Sequence, residues 1–111
     1  MSNDVTMVRI YIHENEQGKR TTLLKEVLNV LHDQHRVKGV TVFRGIAGFG
    51  DDGEVHASDL LRLSPDLPEV IEFFDVPDVV GAVLKLLDGI VPDGHIVHWP
   101  AQCDAVANGK T

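Results

Sequence analysis

The spacing of the apolar residues changes from strand-like to helix-like twice along this chain, and that order limits the possible folds more than any other feature. Apolar residues that alternate with a period of two are typical of strands, and apolar residues that recur every three or four positions are typical of amphipathic helices. The chain shows the order strand, helix, strand, strand, helix, strand. The predicted strands are residues 5–13, 40–46, 67–75 and 95–99, and the predicted helices lie around residues 23–31 and 79–91.

This order predicts an α+β fold of the ferredoxin-like βαββαβ type, with an antiparallel sheet and both helices on one face. The third strand carries the nearly continuous apolar run Val70, Ile71, Phe73 and Phe74, which is typical of a strand that is buried on both faces. Because the helices cover only one face, we expect a partner chain against the other. Residues 1–99 are predicted to form one domain, and residues 100–111 lack periodicity and are predicted to be a flexible tail.

Charge and cysteine content exclude several classes of protein. The formal net charge of −7 argues against a nucleic-acid-binding protein, whose affinity depends on Lys and Arg. The single cysteine, Cys103, allows no internal disulfide and no Cys-rich zinc site. The N-terminus does not resemble a signal peptide, and no apolar run approaches the roughly 20 residues of a membrane span. We therefore expect a cytoplasmic protein that does not insert into a membrane.

A glycine-rich segment follows the second predicted strand. Residues 44–50 read Arg-Gly-Ile-Ala-Gly-Phe-Gly, and they open a connection over residues 47–66 that is long for a hairpin. Backbone N–H groups near Gly45, Gly48 and Gly50 could surround a phosphate or carboxylate, with the guanidinium of Arg44 as a further donor. The alternative is an ordinary hairpin in which Arg44 pairs with the acidic residues at positions 51 and 52.

Two further positions are candidates for ligand contact. Lys19 precedes the first predicted helix, and free N–H groups at a helix N-terminus attract anions. The alternative for Lys19 is a solvated turn. His56 follows the glycine-rich segment and could contact a ligand, respond to pH or bind a metal, or it could simply hydrogen-bond to the loop backbone.

No catalytic constellation is found, and a shared metal site of His95 and His98 is not expected. Their offset of three places them on opposite faces of a strand. Ser58 and Ser64 lack the Gly-x-Ser-x-Gly setting of a nucleophile elbow. We therefore predict neither an enzyme nor a metal site.

Three motifs resemble those of a known family. They are residues 44–50, the Val-His-Ala-Ser of residues 55–58 and the Leu-Pro-Glu-Val-Ile-Glu of residues 67–72. In this order and spacing they resemble the DUF190 (UPF0166) family, small bacterial and archaeal proteins related to PII signalling proteins. The resemblance covers roughly residues 5–98. It implies a ferredoxin-like fold and a homotrimer in which the sheets face inward.

The resemblance also implies a role. PII-like proteins bind small effectors, often adenine nucleotides, in clefts between subunits, and the long loop after the second strand contacts a target such as a transporter, channel or enzyme. Members of the DUF190 family are often associated with a fluoride-channel protein. In PII proteins an Asp-Gly-Lys turn before the last strand provides a phosphate-binding Lys. The matching turn here is Asp93-Gly94-His95, and a histidine is mostly neutral at pH 7.

These observations predict a cytoplasmic PII-like homotrimer that senses a small anionic ligand, with adenine nucleotides as the suggested class, and signals to a partner such as a membrane channel or transporter. The alternatives are a trimeric divalent-metal-binding protein and a structural adaptor without a small ligand. The predicted ligand-binding residues are Lys19, Arg44, Gly45, Gly48, Gly50, His56 and His95.

Overall fold

The computed structural model describes residues 3–33, 37–49, 55–57 and 66–104. Within these ranges the chain forms six strands and two helices. The elements are β1 (Asp4–His13), α1 (Leu23–Asp33), β2 (Thr41–Arg44), β3 (Ala47–Phe49), β4 (Val55–Ala57), β5 (Pro68–Asp75), α2 (Pro77–Leu87) and β6 (Ile96–Gln102).

Four of the strands form one antiparallel sheet in the order β2-β5-β1-β6. The central strand is β1, in which Ile10 lies opposite Ile71 of β5 on one side and opposite Ile96 of β6 on the other. Both helices pack on the same face of this sheet. The predicted ferredoxin-like fold class is therefore confirmed.

The hydrophobic core lies between the helices and alternate residues of the sheet. Period-two spacing in β1 and β5 and helical spacing in α1 and α2 bring apolar side chains into one cluster. Burying such a side chain stabilises the fold by about 1.5–3 kcal/mol relative to leaving it exposed. The most buried members are Val8, Ile10, Leu23, Val27, Leu31, Ile71, Val80, Val83 and Leu87.

The second predicted strand, residues 40–46, ends at Arg44 as β2, and two other elements end three or more residues away from the predicted position. Helix α2 ends at Leu87 instead of near Val91, because Gly89 adopts a positive φ of 97° and turns the chain. Val91 is nevertheless 6% exposed and belongs to the core, which explains why the apolar spacing continued. Strand β6 continues to Gln102, three residues beyond the predicted end at Trp99.

The start of β1 provides the partners for this extension, since Asp4 lies opposite Gln102 in the register. Pro100 has no N–H to donate, but β6 is an edge strand, where proline is tolerated. The first residues of the predicted tail thus belong to the sheet, and residues 105–111 lie outside the described ranges.

A second, two-stranded sheet lies within the long predicted connection of residues 47–66. In this β3–β4 ribbon, Ala47 pairs with Ala57 and Phe49 with Val55. The ribbon follows β2 after only two residues, Gly45 and Ile46. Residues 50–54 and 58–65 of the connection lie outside the described part of the chain.

The sheet surface opposite the helices carries large apolar side chains that are 36% to 50% exposed. We call this surface the open face; the side chains are Tyr11, Phe43, Phe74, Val97 and Trp99. Near its centre Arg9 Nε donates to Glu72 Oε2 over 2.7 Å, and the guanidinium lies 5.8 Å from the centroid of the Trp99 ring. No helix among the described residues is long and apolar enough to cross a membrane.

Candidate ligand site at one end of the sheet

Polar side chains collect at the end of the sheet where β1 and β2 finish and where β5 and β6 begin. Because neighbouring strands are antiparallel, these four strand ends lie side by side at the same end of the sheet. The loop after β1 and the β3–β4 ribbon also start there. We call this region the polar end; its side chains are His13, Glu14, Glu16, Arg44, Asp66, Glu69 and His95.

Arg44, the last residue of β2, provides a positive charge at the polar end. Its guanidinium donates to the carboxylate of Glu14, which follows β1, and this pairing raises the pKa of Arg44 above its usual value. The acidic residues at positions 51 and 52, considered from the sequence as partners, lie outside the described residues. The Arg44 side chain is 56% exposed, so a small anion can reach the guanidinium from solvent.

Glu69 is the buried acid of the polar end. It lies opposite Arg44 in the β2–β5 register, is 7% exposed, and its Oε1 has no hydrogen-bond partner among the described residues. Burial raises the pKa of Glu69, the negative charges of Glu14 and Asp66 raise it further, and Arg44 opposes these effects. Spacing in the sequence does not single this residue out, because both faces of the strand carry apolar side chains. Ile71 and Phe73 share the face of Glu69, and Val70 and Phe74 share the other.

The glycines after β2 allow the chain to pass close to Pro68. The N–H of Gly45 donates to the carbonyl of Pro68 over 2.8 Å. A Cβ atom would lie 2.7 Å from Pro68 Cγ at Gly45 and 3.1 Å from it at Gly48. In this conformation the N–H of Gly45 is used within the sheet, and ligand contacts of Gly45 and Gly48 stay predictions. Gly50 lies outside the described residues.

The loop before α1 already holds an internal anion. The carboxylate of Glu26 accepts hydrogen bonds from the N–H groups of Arg20 at 2.8 Å and Thr21 at 3.1 Å, which lower the pKa of Glu26. The same carboxylate packs against Gly18, where a Cβ would lie 2.1 Å from Oε2. The N–H groups of Arg20 and Thr21, which precede α1, are therefore occupied by Glu26. The Lys19 side chain is exposed in this loop, and its ligand contact stays a prediction.

His95 is fixed beside a carboxylate at the start of β6. Its Nε2 lies 2.8 Å from Glu16 Oε2, and its carbonyl accepts the N–H of Tyr11 over 2.8 Å. Glu16 also accepts the N–H of His13 over 3.2 Å. The structure thus brings His95 and Arg44 to the same end of the sheet, each held by an acid of the segment that follows β1.

The structure places His56 in β4, where its backbone pairs with that of Gly48. Among the residues that the structure describes, no group of three or more His, Cys, Asp or Glu side chains has the arrangement of a metal site. Sequence reasoning missed all four acids of the polar end, Glu14, Glu16, Asp66 and Glu69, and also Glu26 of α1. Glu26 stands four residues after Thr22, which precedes α1, whereas a capping box has its acid three residues after the cap.

Comparison with known sequences identifies the family. The model of DUF190, described as Uncharacterized ACR, COG1993, matches residues 5–103. The UPF0166 protein MJ1524 of Methanocaldococcus jannaschii is 33% identical over 92 residues, which are 82% of this chain and 83% of that protein. A UPF0166 protein of Aquifex aeolicus is 30% identical over 83 residues, 75% of this chain and 78% of the relative. The resemblance found in the motifs is confirmed.

Solved structures of other proteins share this fold. CPII from Thiomonas intermedia K12, described as bound to ADP and bicarbonate, superposes with a TM-score of 0.64 at 16% identity, covering 92% of this chain and 90% of that one. The divalent ion tolerance protein CutA1 from Ehrlichia chaffeensis gives a TM-score of 0.59 at 13% identity, covering 97% and 88%. At these identities the likeness concerns the fold alone.

Proposed function

We propose that this chain, which belongs to the DUF190 family, is a cytoplasmic PII-like sensor that binds a small anionic effector and signals to a partner protein such as a membrane channel or transporter. It acts by binding, without catalytic activity of its own. The observation that carries the proposal is the position of Arg44. This half-exposed cation lies at the polar end, two residues before the β3–β4 ribbon, so a ligand held there contacts the segment best placed to pass a signal on.

The chemistry of Arg44 selects the class of ligand. A guanidinium has a planar fork of N–H donors that matches the oxygens of phosphate or carboxylate groups, and such charge-assisted hydrogen bonds are among the strongest in proteins. CPII, which shares the fold, is described as bound to ADP and bicarbonate, and both of these ligands are anions. Adenine nucleotides and bicarbonate are therefore the first ligands to test on this chain.

The ligand cleft requires a neighbouring subunit, and the open face supports a homotrimer. Five large apolar side chains lie exposed on one sheet surface, and contiguous apolar patches of this kind are typical of protein interfaces. The Arg9–Glu72 ion pair in their midst is already formed within one subunit, so the two charges enter an interface as a paired unit. In the proposed homotrimer, open faces pack around a threefold axis and the ligand cleft lies where the polar end meets a neighbouring subunit.

The experiment is a ligand screen of the purified protein by thermal shift and calorimetry. The panel contains ATP, ADP, AMP, cyclic nucleotides, bicarbonate and divalent metals. Binding of a nucleotide or bicarbonate that is weakened in Arg44→Ala supports the sensor, and Arg44→Lys keeps the charge but loses the planar fork of donors. Binding of none of these anions contradicts the proposal.

The second candidate function is divalent-metal binding, which the fold likeness to CutA1, described as a divalent ion tolerance protein, favours. Stabilisation by zinc or copper alone, lost in His56→Ala, would assign that function instead. Binding of neither anions nor metals would assign a structural adaptor.

A further inference from the structure

We infer that anion binding by Arg44 is coupled to the uptake of one proton by the Glu14–Glu69 pair of carboxylates. The inference rests on the proposed function and adds its regulation: the sensor binds its effector more tightly as the pH falls. Its basis is that the positive charge of Arg44 already interacts with two acids of the chain when no ligand is bound. It forms an ion pair with Glu14 and lies opposite the buried Glu69 in the register of β2 and β5.

Three charged residues from three neighbouring segments act on Glu69. Glu14 directly follows β1, Asp66 precedes β5, and Arg44 ends β2. His13 lies near Asp66, with 4.0 Å between Nδ1 and Oδ2. Arg44 is thus the one cation among the charges that act on Glu69 in the described part of the chain, and it opposes two negative charges.

A ligand that draws the guanidinium away leaves these carboxylates together without their cation. Glu69 is 7% exposed and its Oε1 has no hydrogen-bond partner among the described residues, so water compensates little of its charge. Two carboxylates that share a site do not both stay ionised easily, because like charges and burial both favour the neutral acid. One proton from solvent then binds to Glu69 or Glu14. The net charge of the site in the complex therefore includes the charge of the ligand and one additional positive charge from this proton.

The size of the effect follows from linkage. A binding reaction that takes up one proton becomes tenfold tighter for each unit by which the pH falls, over the range where the acid is ionised in the free protein and protonated in the complex. If Arg44 instead contacts the ligand with one edge of its guanidinium and keeps Glu14 on the other, no proton is taken up. The two cases are distinguished by counting protons.

The first test is calorimetry with ADP as the probe, in buffers of equal pH and different ionisation enthalpy. The phosphates of ADP also exchange protons on binding. The number of protons taken up per bound ADP is therefore compared between the wild type and Glu69→Gln, because the protons exchanged by ADP itself are the same in both. We expect up to one proton more for the wild type, and the same count as wild type for Asp78→Asn, an exposed acid on α2. Equal counts in wild type and Glu69→Gln overturn the inference while leaving the sensor intact. Failure of ADP to bind contradicts both proposals for this ligand.

A second measurement needs no ligand. Arg44→Ala removes the cation permanently, so Glu69 should take up its proton at a higher pH in this variant than in the wild type. Because the acid is then more easily protonated in the folded than in the unfolded chain, stability falls more steeply as the pH rises. We expect this steeper fall in thermal unfolding of Arg44→Ala and its loss in the double variant Arg44→Ala, Glu69→Gln. Parallel pH profiles of the two variants overturn the inference.

Discussion

Replacing Gly45 by alanine tests whether the glycines after β2 are needed for close packing against Pro68. The added Cβ would lie 2.7 Å from Pro68 Cγ and 3.3 Å from the Pro68 carbonyl oxygen. The φ angle of Gly45 is not among the positive values of the described glycines, so alanine meets no backbone obstacle at this position. The entire expected effect therefore comes from the contact with Pro68.

The magnitude follows from that contact. A proline ring can change its pucker but cannot rotate away, and the 2.8 Å hydrogen bond from Gly45 N to Pro68 O holds the two segments together, so the methyl group is accommodated mainly by moving β2 away from β5. Overpacking of this kind costs about 1–3 kcal/mol in free energy of unfolding. For a domain of this size, that corresponds to a melting temperature lower by about 4–12 °C.

The assay is thermal unfolding at one fixed protein concentration, with two matched comparisons. Gly81→Ala lies in α2 with open space at its Cβ, and it should raise the free energy of unfolding by up to about 1 kcal/mol through helix propensity. The double variant Gly45→Ala, Pro68→Ala removes the obstructing ring carbon and should recover most of the loss. A Gly45→Ala protein as stable as wild type, or no recovery in the double variant, would refute the packing argument.

Three further predictions concern the core, the loop before α1 and the open face. Leu87→Ala, at a fully buried position, should lower the free energy of unfolding by about 2–5 kcal/mol, and Leu86→Ala, at a 40% exposed neighbour, should cost far less in the same denaturant titration. Because backbone N–H groups lower the pKa of Glu26 below 4.5, its ionised carboxylate stabilises the fold above that pH. Glu26→Gln should therefore have a lower melting temperature than the wild type near neutrality, and the difference in melting temperature should decrease as the solution is acidified. In the proposed homotrimer, Phe74→Asp should give monomers of 12.2 kDa in a solution mass measurement, whereas Leu86→Asp, on a helix, should leave the mass of the trimer unchanged.

The element order and most of the core could be predicted from the sequence because each depends on local spacing. Alternation in β1 placed Val8, Ile10 and Ile12 on one face, and the structure buries all three. The end of α2 could not be predicted in the same way. Val91 returns to the core after the turn at Gly89, so its spacing continues the helical pattern beyond the helix.

Which side chains of the site contact one another depends on the register of the strands, and the spacing of apolar residues in the sequence gives no information about register. From the sequence, the nearest acids to Arg44 are those at positions 51 and 52, but the sheet brings it to Glu14, thirty positions earlier in the chain. The end of β6 is a similar case. Residues 100–111 lack periodicity, so the strand was predicted to end at Trp99, but pairing with the start of β1 continues β6 to Gln102, and its place at the sheet edge tolerates Pro100.

The acid Glu69 shows a limit of sequence reasoning. Apolar residues lie on both faces of its strand, Ile71 and Phe73 with Glu69 and Val70 and Phe74 on the other, so spacing alone does not predict which acid of the strand is buried. The structure shows that Glu69 is the buried one, that it lies opposite Arg44, and that its Oε1 has no hydrogen-bond partner among the described residues.

The central claim, that Arg44 at the polar end holds an anionic effector, is tested most directly by calorimetric titration of the ligand that binds most tightly in the screen. A hydrogen bond to a charged group contributes about 1.5–3 kcal/mol, so Arg44→Ala should weaken binding by roughly 10-fold to 150-fold. Lys25→Ala, which removes an exposed cation of α1, should change the affinity little and serves as the control for overall charge. The account predicts a selective loss in Arg44→Ala, and equal affinities of the wild type and both variants would contradict it.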